Sequence, residues 1–269
     1  MIPLVCIDVD GTLVGSSGEV REAVWEAVDA ALARGQHLAL TTARGAFASS
    51  WEMAKRLDPN GWHVFHAGGA TVHTGTSASR GHDLSAAEVE LAIQAAEDAD
   101  WVLELYSPTS YAVDHSDTRA VDHAALMGVP FARQDFDDFR THNSSIVRVQ
   151  FVVPVTAVDA VRDALAPTDL FVTSATSPIM PGTAFVSATK AGITKATGIE
   201  TICGDLGITI EQVMMIGDGH NDLPAIEAVG FPVAMGNAVD EVRTLATHVV
   251  AHVEEDGVAE ALALSAELG

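Results

Sequence analysis

Short apolar runs alternate with helical patterns at the start of the chain. Residues 2–7 form an apolar run typical of a fully buried strand, and residues 20–34 carry apolar side chains at helical spacing. The same pattern repeats, with buried strands predicted at 37–40 and 62–65 and a helix between them at 46–57. Strands that alternate with helices through short loops favour a parallel sheet with right-handed crossovers. The first 80 residues therefore predict the start of an α/β domain.

The pattern changes after a turn-rich segment at 71–81. Residues 85–99 predict an amphipathic helix, with Ser85 as N-cap and Glu88 completing a capping box. Alternating polar and apolar residues then predict extended segments at 101–106, 110–113, 145–153, 170–173 and 184–187, with helices at 123–127 and 155–165. Strand pairs with interposed helices indicate a separate α+β domain.

The α/β rhythm returns near residue 189. A helix is predicted over 190–206 and a buried strand over 213–216, followed by helices at 223–229 and 239–246, strands at 231–235 and 247–251, and a closing segment at 257–268. We therefore predict an α/β protein with a Rossmann-like parallel-sheet core over residues 1–80 and 188–269. An α+β domain over residues 81–187 is inserted into that core.

Net charge narrows the range of partners. The chain carries 37 acidic and 14 basic residues, a formal net charge of −23, which disfavours nucleic acid and anionic membranes. No apolar run approaches the roughly 20 residues of a membrane span, and the N-terminal segment lacks the features of a signal peptide. The two cysteines, Cys6 and Cys203, are not in a metal-binding spacing, and we expect a reducing, cytoplasmic setting.

The sequence DVDGT, Asp8 to Thr12, directly follows the first predicted strand. Parallel sheets bind ligands at the carboxyl ends of their strands. Of two carboxylates two residues apart, one can attack a substrate while the other transfers a proton. Their mutual repulsion calls for a metal cation. Two aspartates at this spacing also occur as ordinary helix or turn caps, so other residues must decide between the two interpretations.

A second acidic loop, GDGHND, follows the strand predicted at 213–216. Asp218 and Asp222 are spaced by one helical turn, and hard oxygen ligands from two loops suit Mg²⁺. Lys195 lies near a helix start and Thr42 ends the second strand. A hydroxyl, backbone amides at a helix start and a lysine are the groups that bind a phosphate. Lys190 is a second candidate for the lysine role.

Together these motifs resemble the haloacid dehalogenase superfamily, in particular its Cof-type (subclass IIB) sugar-phosphate phosphatases with a large inserted cap of the C2B type. The matching segments are DVDGTL, TTAR, GITKATGI and GDGHND, and the segments AMGNAVDEV and EDGVAEAL look like this subgroup. Two departures stand out: Ala43 replaces the usual glycine of the second motif, and GGA, Gly68 to Ala70, replaces the usual NGA.

The resemblance implies a role for each matched residue. Asp8 would attack phosphorus to form an aspartyl-phosphate, and Asp10 would protonate the leaving alcohol and then activate water. Mg²⁺ would be held by Asp8, the backbone carbonyl of Asp10 and Asp218, with Asp222 orienting Lys195 or binding a metal-bound water. The phosphoryl group would be bound by Thr42, Ala43, Lys195 and Asn221. Candidate substrate contacts are Arg44, Gly68, Gly69, His220, Tyr106 and Arg148.

The function expected from these features is Mg²⁺-dependent hydrolysis of a small phosphorylated metabolite, a sugar or polyol phosphate. A large inserted cap would select small ligands and exclude bulk water. Two alternatives stay open: a phosphomutase that uses the same intermediate, and a non-catalytic sensor of sugar phosphates. Composition does not locate a self-complementary surface, so no oligomeric state is predicted.

Overall fold

The computed structural model describes residues 1–268, which form two compact units. The core unit contains residues 1–44 and 52–78 and the chain from Thr194 onward. The insert unit contains residues 45–51 and 79–193. The insert unit thus extends the predicted range of 81–187 at both ends and also takes in a short segment from the N-terminal part of the chain.

Strands and helices follow one another throughout both units. The strands are Leu4–Ile7 (β1), His37–Leu40 (β2), Trp62–Phe65 (β3), Ala70–His73 (β4), Ser79–Gly81 (β5), Val102–Tyr106 (β6), Tyr111–Val113 (β7), Arg148–Pro154 (β8), Leu170–Thr176 (β9), Thr183–Lys190 (β10), Val213–Gly217 (β11), Phe231–Ala234 (β12) and His248–Val249 (β13). The α-helices are Glu22–Ala33 (α1), Ala48–Leu57 (α2), Ala86–Ala99 (α3), Thr118–Leu126 (α4), Phe136–His142 (α5), Val158–Leu165 (α6), Lys195–Leu206 (α7), Leu223–Ala228 (α8), Asp240–Leu245 (α9) and Gly257–Glu267 (α10). Within residues 1–268, no helix has the length and apolar character needed to cross a bilayer.

A parallel sheet forms the centre of the core unit. Its strands run in the order β13-β12-β11-β1-β2, and each neighbouring pair is parallel. All residues of β1 and β11 are buried, as their continuous apolar runs predict for strands covered on both faces. Because the strands are parallel, the loops after β1, β2 and β11 leave the same edge of the sheet.

The third predicted strand, β3, pairs differently from the expectation. It is antiparallel to β4 and meets the parallel sheet through an isolated bridge between Thr41 and Val64. The segment after it was predicted as turns alone, but its first residues fold back as β4. At four residues β4 is too short for its alternation to stand out from the turn-rich segment that follows it.

The helix predicted from Lys190 begins five residues later. Lys190 is the last residue of β10, and Thr194 is extended, with its N–H donated to Thr197 Oγ1 at 3.0 Å. The helix α7 therefore starts at Lys195 and ends at Leu206, with Gly207 as its C-cap at φ +66°. Gly198 inside α7 lies against β3, where a Cβ would be 2.5 Å from the Val64 side chain.

An antiparallel sheet with the order β7-β6-β8-β10-β9 forms the insert unit. Successive side chains on its strands point to opposite faces. Leu103, Leu105 and Phe151 belong to an apolar cluster with residues of α3 and α6, whereas Val102 and Val152 belong to a second cluster with Ala120 of α4. The predicted α+β character is confirmed, although α5 was not predicted from the sequence.

Phe47 explains why residues 45–51 group with the insert unit. Its ring stacks on Tyr106 with the ring centroids 6.3 Å apart and packs against Tyr111 at 5.8 Å. Aromatic pairs at such distances are stabilising beyond the area that they bury. The segment just after the TTAR motif is therefore attached to the sheet of the insert unit by an aromatic side chain.

His63 in β3 is a buried structural histidine. The backbone N–H of Leu40 donates to its Nδ1 at 3.0 Å, so Nε2 carries the hydrogen and donates to the carbonyl of Asp58 at 3.0 Å. Burial lowers the pKa of His63 to about 4. The ring is therefore neutral in the folded protein and connects β2 to the loop before β3.

Because the folded protein keeps the His63 ring neutral, we expect its free energy of unfolding to fall in acid. The unfolded chain binds a proton at His63 near pH 6.5, whereas the folded protein does so only near pH 4. The free energy of unfolding should therefore fall by about 3 kcal/mol from this group as the pH drops between those values. In His63→Gln this part of the pH dependence should disappear, as measured by denaturant unfolding between pH 4.5 and 7. His220→Gln, at a 66% exposed side chain, is the control and should keep it. An unchanged pH dependence in His63→Gln would contradict the assignment.

Candidate active site

Loops at the carboxyl ends of β1 and β11 bring the predicted acidic motifs together. Lys195, the first residue of α7, places its ammonium between them. Its Nζ lies 2.5 Å from Asp8 Oδ1 and 2.6 Å from Asp222 Oδ1. All three side chains are buried, with Lys195 1% exposed. A buried charge of this kind is stable only when it is paired and hydrogen-bonded, as it is here.

Asp222 serves two purposes with its two oxygens. While Oδ1 accepts from Lys195, Oδ2 accepts the backbone N–H groups of Asp218 and Gly219, each at 3.0 Å. The same carboxylate therefore orients the lysine and fixes the acidic loop. Of the two roles considered for Asp222, orientation of Lys195 is the one that these contacts support.

Asp218 lies against the loop after β1. Its Oδ1 accepts from Thr12 Oγ1 at 2.9 Å, and a Cβ on Gly11 would lie 2.2 Å from its Oδ2. Gly11 also has φ +85°, a conformation that favours glycine. The glycine of DVDGT is thus required twice, for its backbone angle and for the close approach of Asp218.

Burial raises the pKa of two carboxylates of the cluster, Asp8 and Asp218. Burial raises the pKa of Asp8 to about 7, and the charge of Asp222 adds to this while Lys195 opposes it. Burial also raises the pKa of Asp218, and Asp222 and Asp10 add to the effect. For Lys195 burial acts against the charged form, but Asp8 and Asp222 outweigh it and raise its pKa. The cluster carries more negative than positive charge and favours a further cation.

The donor set fits a hard divalent metal ion. Asp8, Asp218 and Asp222 each offer a carboxylate oxygen, and these oxygens lie within 4.8 Å of one another. Oxygen ligands from a few carboxylates are what Mg²⁺ uses in proteins. The carboxylate of Asp10 is directed elsewhere, toward Arg44, so only its backbone carbonyl stays a candidate ligand.

Thr42 lies in the loop after β2, beside the loop after β3. It is buried, its N–H donates to Val64 O and its carbonyl accepts from Ala67 N, both at 2.9 Å. Its Oγ1 accepts the N–H of Arg44 at 3.2 Å. Ala43 between them is exposed. Backbone hydrogen bonds to β3 and to the loop after it therefore hold the second motif in place.

Asn237 is a residue of the site region to which sequence reasoning gave no role. Its Nδ2 donates to the carbonyl of Gly11 at 2.7 Å, and its Oδ1 accepts from Val253 N at 2.9 Å. It therefore ties the DVDGT loop to the segment before α10. The signal was present in the sequence, since Asn237 follows β12 in the GNA segment, at the same edge of the parallel sheet.

Three further candidate residues lie outside the buried contacts that Lys195 makes with Asp8 and Asp222. Asn221 is exposed, and His220 lies 3.6 Å from Glu241 of α9. Lys190, the alternative lysine, lies in the insert unit, where its Nζ is 3.3 Å from Glu88. Lys195 is therefore the lysine that contacts the carboxylates.

Tyr106 and Arg148 belong to the insert unit and are themselves in contact. The Arg148 guanidinium lies 3.8 Å above the Tyr106 ring, and the tyrosine hydroxyl donates to Glu104 Oε2 at 2.6 Å. Glu104 is fully buried and also contacts His123 Nδ1 at 2.7 Å and Gln150 Nε2 at 3.0 Å. Burial, with the charge of Glu104, raises the pKa of Tyr106 well above its usual value.

Gly68, the first residue of GGA, lies directly against the start of α7. It has φ +104°, and a Cβ there would lie 1.9 Å from the backbone oxygen of Thr194, the residue before α7. His66 and Ala67 before it also have positive φ values, of 53° and 55°. The loop after β3 therefore lies directly against the start of the lysine helix, and Gly69 follows it.

This contact predicts that the asparagine of the usual motif does not fit here. In Gly68→Asn, the helix start should move away from the loop, with a loss of about 1–3 kcal/mol in stability. Gly207→Asn is the matched control, because it is at the other end of α7, has positive φ and has open space around it. Denaturant unfolding should show a clear loss for the first variant and a small one for the second. Equal effects would contradict the close contact.

Known proteins are similar to this chain in both sequence and fold. A sequence profile described as haloacid dehalogenase-like hydrolase matches residues 5–262. The chain is 35% identical to a phosphoglycolate phosphatase of Methanothermobacter thermautotrophicus over 142 residues, or 52% of this chain. The alignment spans 58% of that relative, less than two thirds of its length.

Solved structures share the whole fold. A haloacid dehalogenase-like hydrolase from Bacteroides thetaiotaomicron has a TM-score of 0.85 at 24% identity, over 98% of this chain and 99% of that one. A structure described as a haloacid dehalogenase subclass IIB sugar phosphatase has a TM-score of 0.78 at 21% identity, again over 98% and 99%. The predicted fold class, a parallel-sheet core with an inserted α+β domain, is confirmed.

Proposed function

We propose that this chain, which belongs to the haloacid dehalogenase-like hydrolase family, is a phosphatase that hydrolyses a small phosphate monoester through a phosphorylated Asp8. The observation that carries the proposal is the buried contact of Lys195 with Asp8 and Asp222. A carboxylate held in this way has its orientation fixed, and a lysine beside it is available to the oxygens of a phosphoryl group. Phosphoryl transfer needs this kind of positioning and charge neutralisation.

In the first step, an Asp8 oxygen attacks phosphorus and the bond to the leaving oxygen breaks. The leaving oxygen takes a proton from Asp10, so an alcohol departs rather than an alkoxide. Lys195 and Thr42 bind the phosphoryl oxygens, together with the backbone of Ala43, and Asn221 of the acidic loop is a further predicted phosphate contact. The products are a free alcohol and an aspartyl-phosphate on Asp8.

In the second step, a water oxygen attacks the same phosphorus atom. The water gives a proton to the Asp10 carboxylate, and the bond between phosphorus and Asp8 breaks. Inorganic phosphate is released, Asp8 returns to its carboxylate form, and Asp10 is again protonated. Asp10 thus acts first as acid and then as base, and the cycle closes without an external proton carrier.

The acidic cluster would hold Mg²⁺ through Asp8, Asp218 and the backbone carbonyl of Asp10, with Asp222 nearby. When bound, the ion supplies positive charge to the phosphoryl oxygens and weakens the repulsion between the Asp8 carboxylate and the negatively charged phosphate. The raised pKa of Asp8 and Asp218 supports this assignment, because burial without enough positive charge is its cause.

A small, hydroxylated phosphate ester, such as a sugar or polyol phosphate, is the proposed substrate class. A phosphoglycolate phosphatase and a subclass IIB sugar phosphatase are among the similar proteins, and both names describe small phosphate esters. The candidate contacts Arg44, Gly68, Gly69, His220, Tyr106 and Arg148 stay predictions. We expect a cytoplasmic setting, in which the two free cysteines stay reduced.

Removal of the lysine charge tests the metal site without any turnover. In Lys195→Met, two buried carboxylates lose their cation, which should cost about 3–5 kcal/mol in metal-free buffer. Mg²⁺ should then raise the melting temperature more in this variant than in the wild type, because it restores positive charge. Lys55→Met removes a lysine paired with Glu52 on the surface and is the control. A melting temperature that does not respond to Mg²⁺ in either protein would contradict the metal assignment.

Turnover of p-nitrophenyl phosphate tests the proposed chemistry. The wild type should release inorganic phosphate with Mg²⁺ and without a bisphosphate activator, which a mutase would require. Asp8→Asn should lower kcat by at least about 10³-fold, because the nucleophile is lost. Asp159→Asn, at a 95% exposed side chain, should have the kcat of the wild type.

Mass spectrometry of acid-quenched protein should find phosphate on Asp8. No turnover by the wild type would exclude the phosphatase, and a panel of phosphorylated metabolites compared by kcat/KM would identify its substrate.

A further inference from the structure

Arg44, at the end of the second motif, makes a two-point ion pair with Asp10. Its Nη2 lies 2.5 Å from Asp10 Oδ1 and its Nε lies 3.0 Å from Oδ2. We infer that Arg44 is a positioning residue, which holds the Asp10 carboxylate for the second half of the reaction. The inference rests on the proposed function, because it takes Asp10 as the acid and base of a phosphatase.

Stability alone does not account for this pair. The Asp10 side chain is 67% exposed and the Arg44 side chain 36%, and ion pairs with such exposure contribute only about 0–1 kcal/mol. What the pair does provide is direction, since the guanidinium is planar and its two N–H groups fix the plane of the carboxylate. An exposed aspartate without such a partner rotates among several rotamers.

The backbone of Arg44 is itself fixed next to the phosphate loop. Its N–H donates to Thr42 Oγ1 at 3.2 Å, and its carbonyl accepts from the N–H of His66 at 2.9 Å. The position of the guanidinium is thus defined relative to Thr42, a proposed phosphate ligand. Arg44 therefore fixes the Asp10 carboxylate, which transfers the proton, relative to Thr42, which is proposed to bind the phosphate.

The pattern of donors identifies the half-reaction. Both Asp10 oxygens accept hydrogen bonds from Arg44, which is the arrangement of a carboxylate rather than of a carboxylic acid. In the proposed cycle, Asp10 is a carboxylate after the alcohol has left and before water attacks. Each oxygen has a second acceptor site, which stays available for the attacking water. Arg44 is therefore suited to the hydrolysis of the aspartyl-phosphate.

The chain contains a matched pair for comparison. Arg56 and Asp29 in the core unit also make a two-point contact, here through both Nη atoms, with Nη1 2.5 Å from Oδ1 and Nη2 2.7 Å from Oδ2. Their side chains are 44% and 58% exposed, similar to the pair of interest. Arg56 lies in α2 and Asp29 in α1, and neither belongs to the motifs of the site. Arg56→Met is therefore the control for the general effect of removing an exposed arginine that makes a two-point ion pair.

The test is a rapid-mixing experiment with p-nitrophenyl phosphate and Mg²⁺ on the full chain. Nitrophenolate needs little help from an acid, so its release reports formation of the aspartyl-phosphate, and steady-state turnover includes the hydrolysis of that intermediate. In Arg44→Met, kcat should fall by about 10- to 100-fold, part of what general base catalysis provides. The kcat/KM value should stay within about twofold, and a burst of nitrophenolate equal to the enzyme concentration should appear.

A double-variant cycle checks that Arg44 acts through Asp10. In the Asp10→Ala background, Arg44→Met should have little further effect on kcat, because effects that act through one residue are not additive. Arg44→Lys should restore only part of the rate, since a lysine cannot supply two parallel N–H groups. Arg56→Met should match the wild type in kcat, kcat/KM and burst.

Other outcomes would overturn the inference. An equal fall of kcat and kcat/KM without a burst would mean that Arg44 binds substrate or supports the fold, and no change in kcat would mean that it has no role in turnover. An additive loss in the Asp10→Ala background would show that it acts independently of Asp10. If the wild type itself has no turnover, the proposed function fails and this inference with it. An active wild type with an unaffected Arg44→Met overturns only this inference.

Discussion

The ammonium of Lys195 is buried between two carboxylates, and burial of a charge is costly unless its partners are in place. This requirement connects three parts of the chain that are far apart in sequence. Asp8 and Asp222 must lie at neighbouring strand ends, which the pairing of β1 with β11 provides. The helix α7 must begin where its first side chain reaches them, and the contact of Thr194 with Gly68 defines that start. Sheet order, helix start and loop conformation are therefore linked by one charge.

The sequence predicted the residues whose position follows from the ends of strands. Asp8 and Asp218 directly follow buried apolar runs, and parallel strands bring such positions to one edge. The contacts of Arg44 with Asp10 and of Asn237 with Gly11 could not be predicted in this way. They depend on side-chain rotamers and on distances between loops, neither of which is encoded in periodicity. Resemblance supplied the roles of the motif residues, but it did not supply the partners of each side chain.

In the insert unit, the alternation of polar and apolar residues predicted the strands. It did not predict that polar side chains on these strands would be buried. Glu104, Tyr106 and Gln150 have the spacing of residues that face solvent, whereas the structure places them in a buried hydrogen-bonded group with His123. Helix α5 was missed because its seven residues are mostly polar and too short to show a helical period. A pattern of polar and apolar residues tells which side chains share a face. It does not tell whether another helix covers that face.

The two oxygens of Asp222 have a consequence for how such a site can change in evolution. One oxygen holds the lysine and the other holds two backbone amides of the acidic loop. A lineage that moved the lysine to another strand or helix would still need an acceptor for those amides. A lineage that reshaped the loop would release the lysine. The lysine charge and the shape of the loop thus depend on the same carboxylate, so that neither can change without the other.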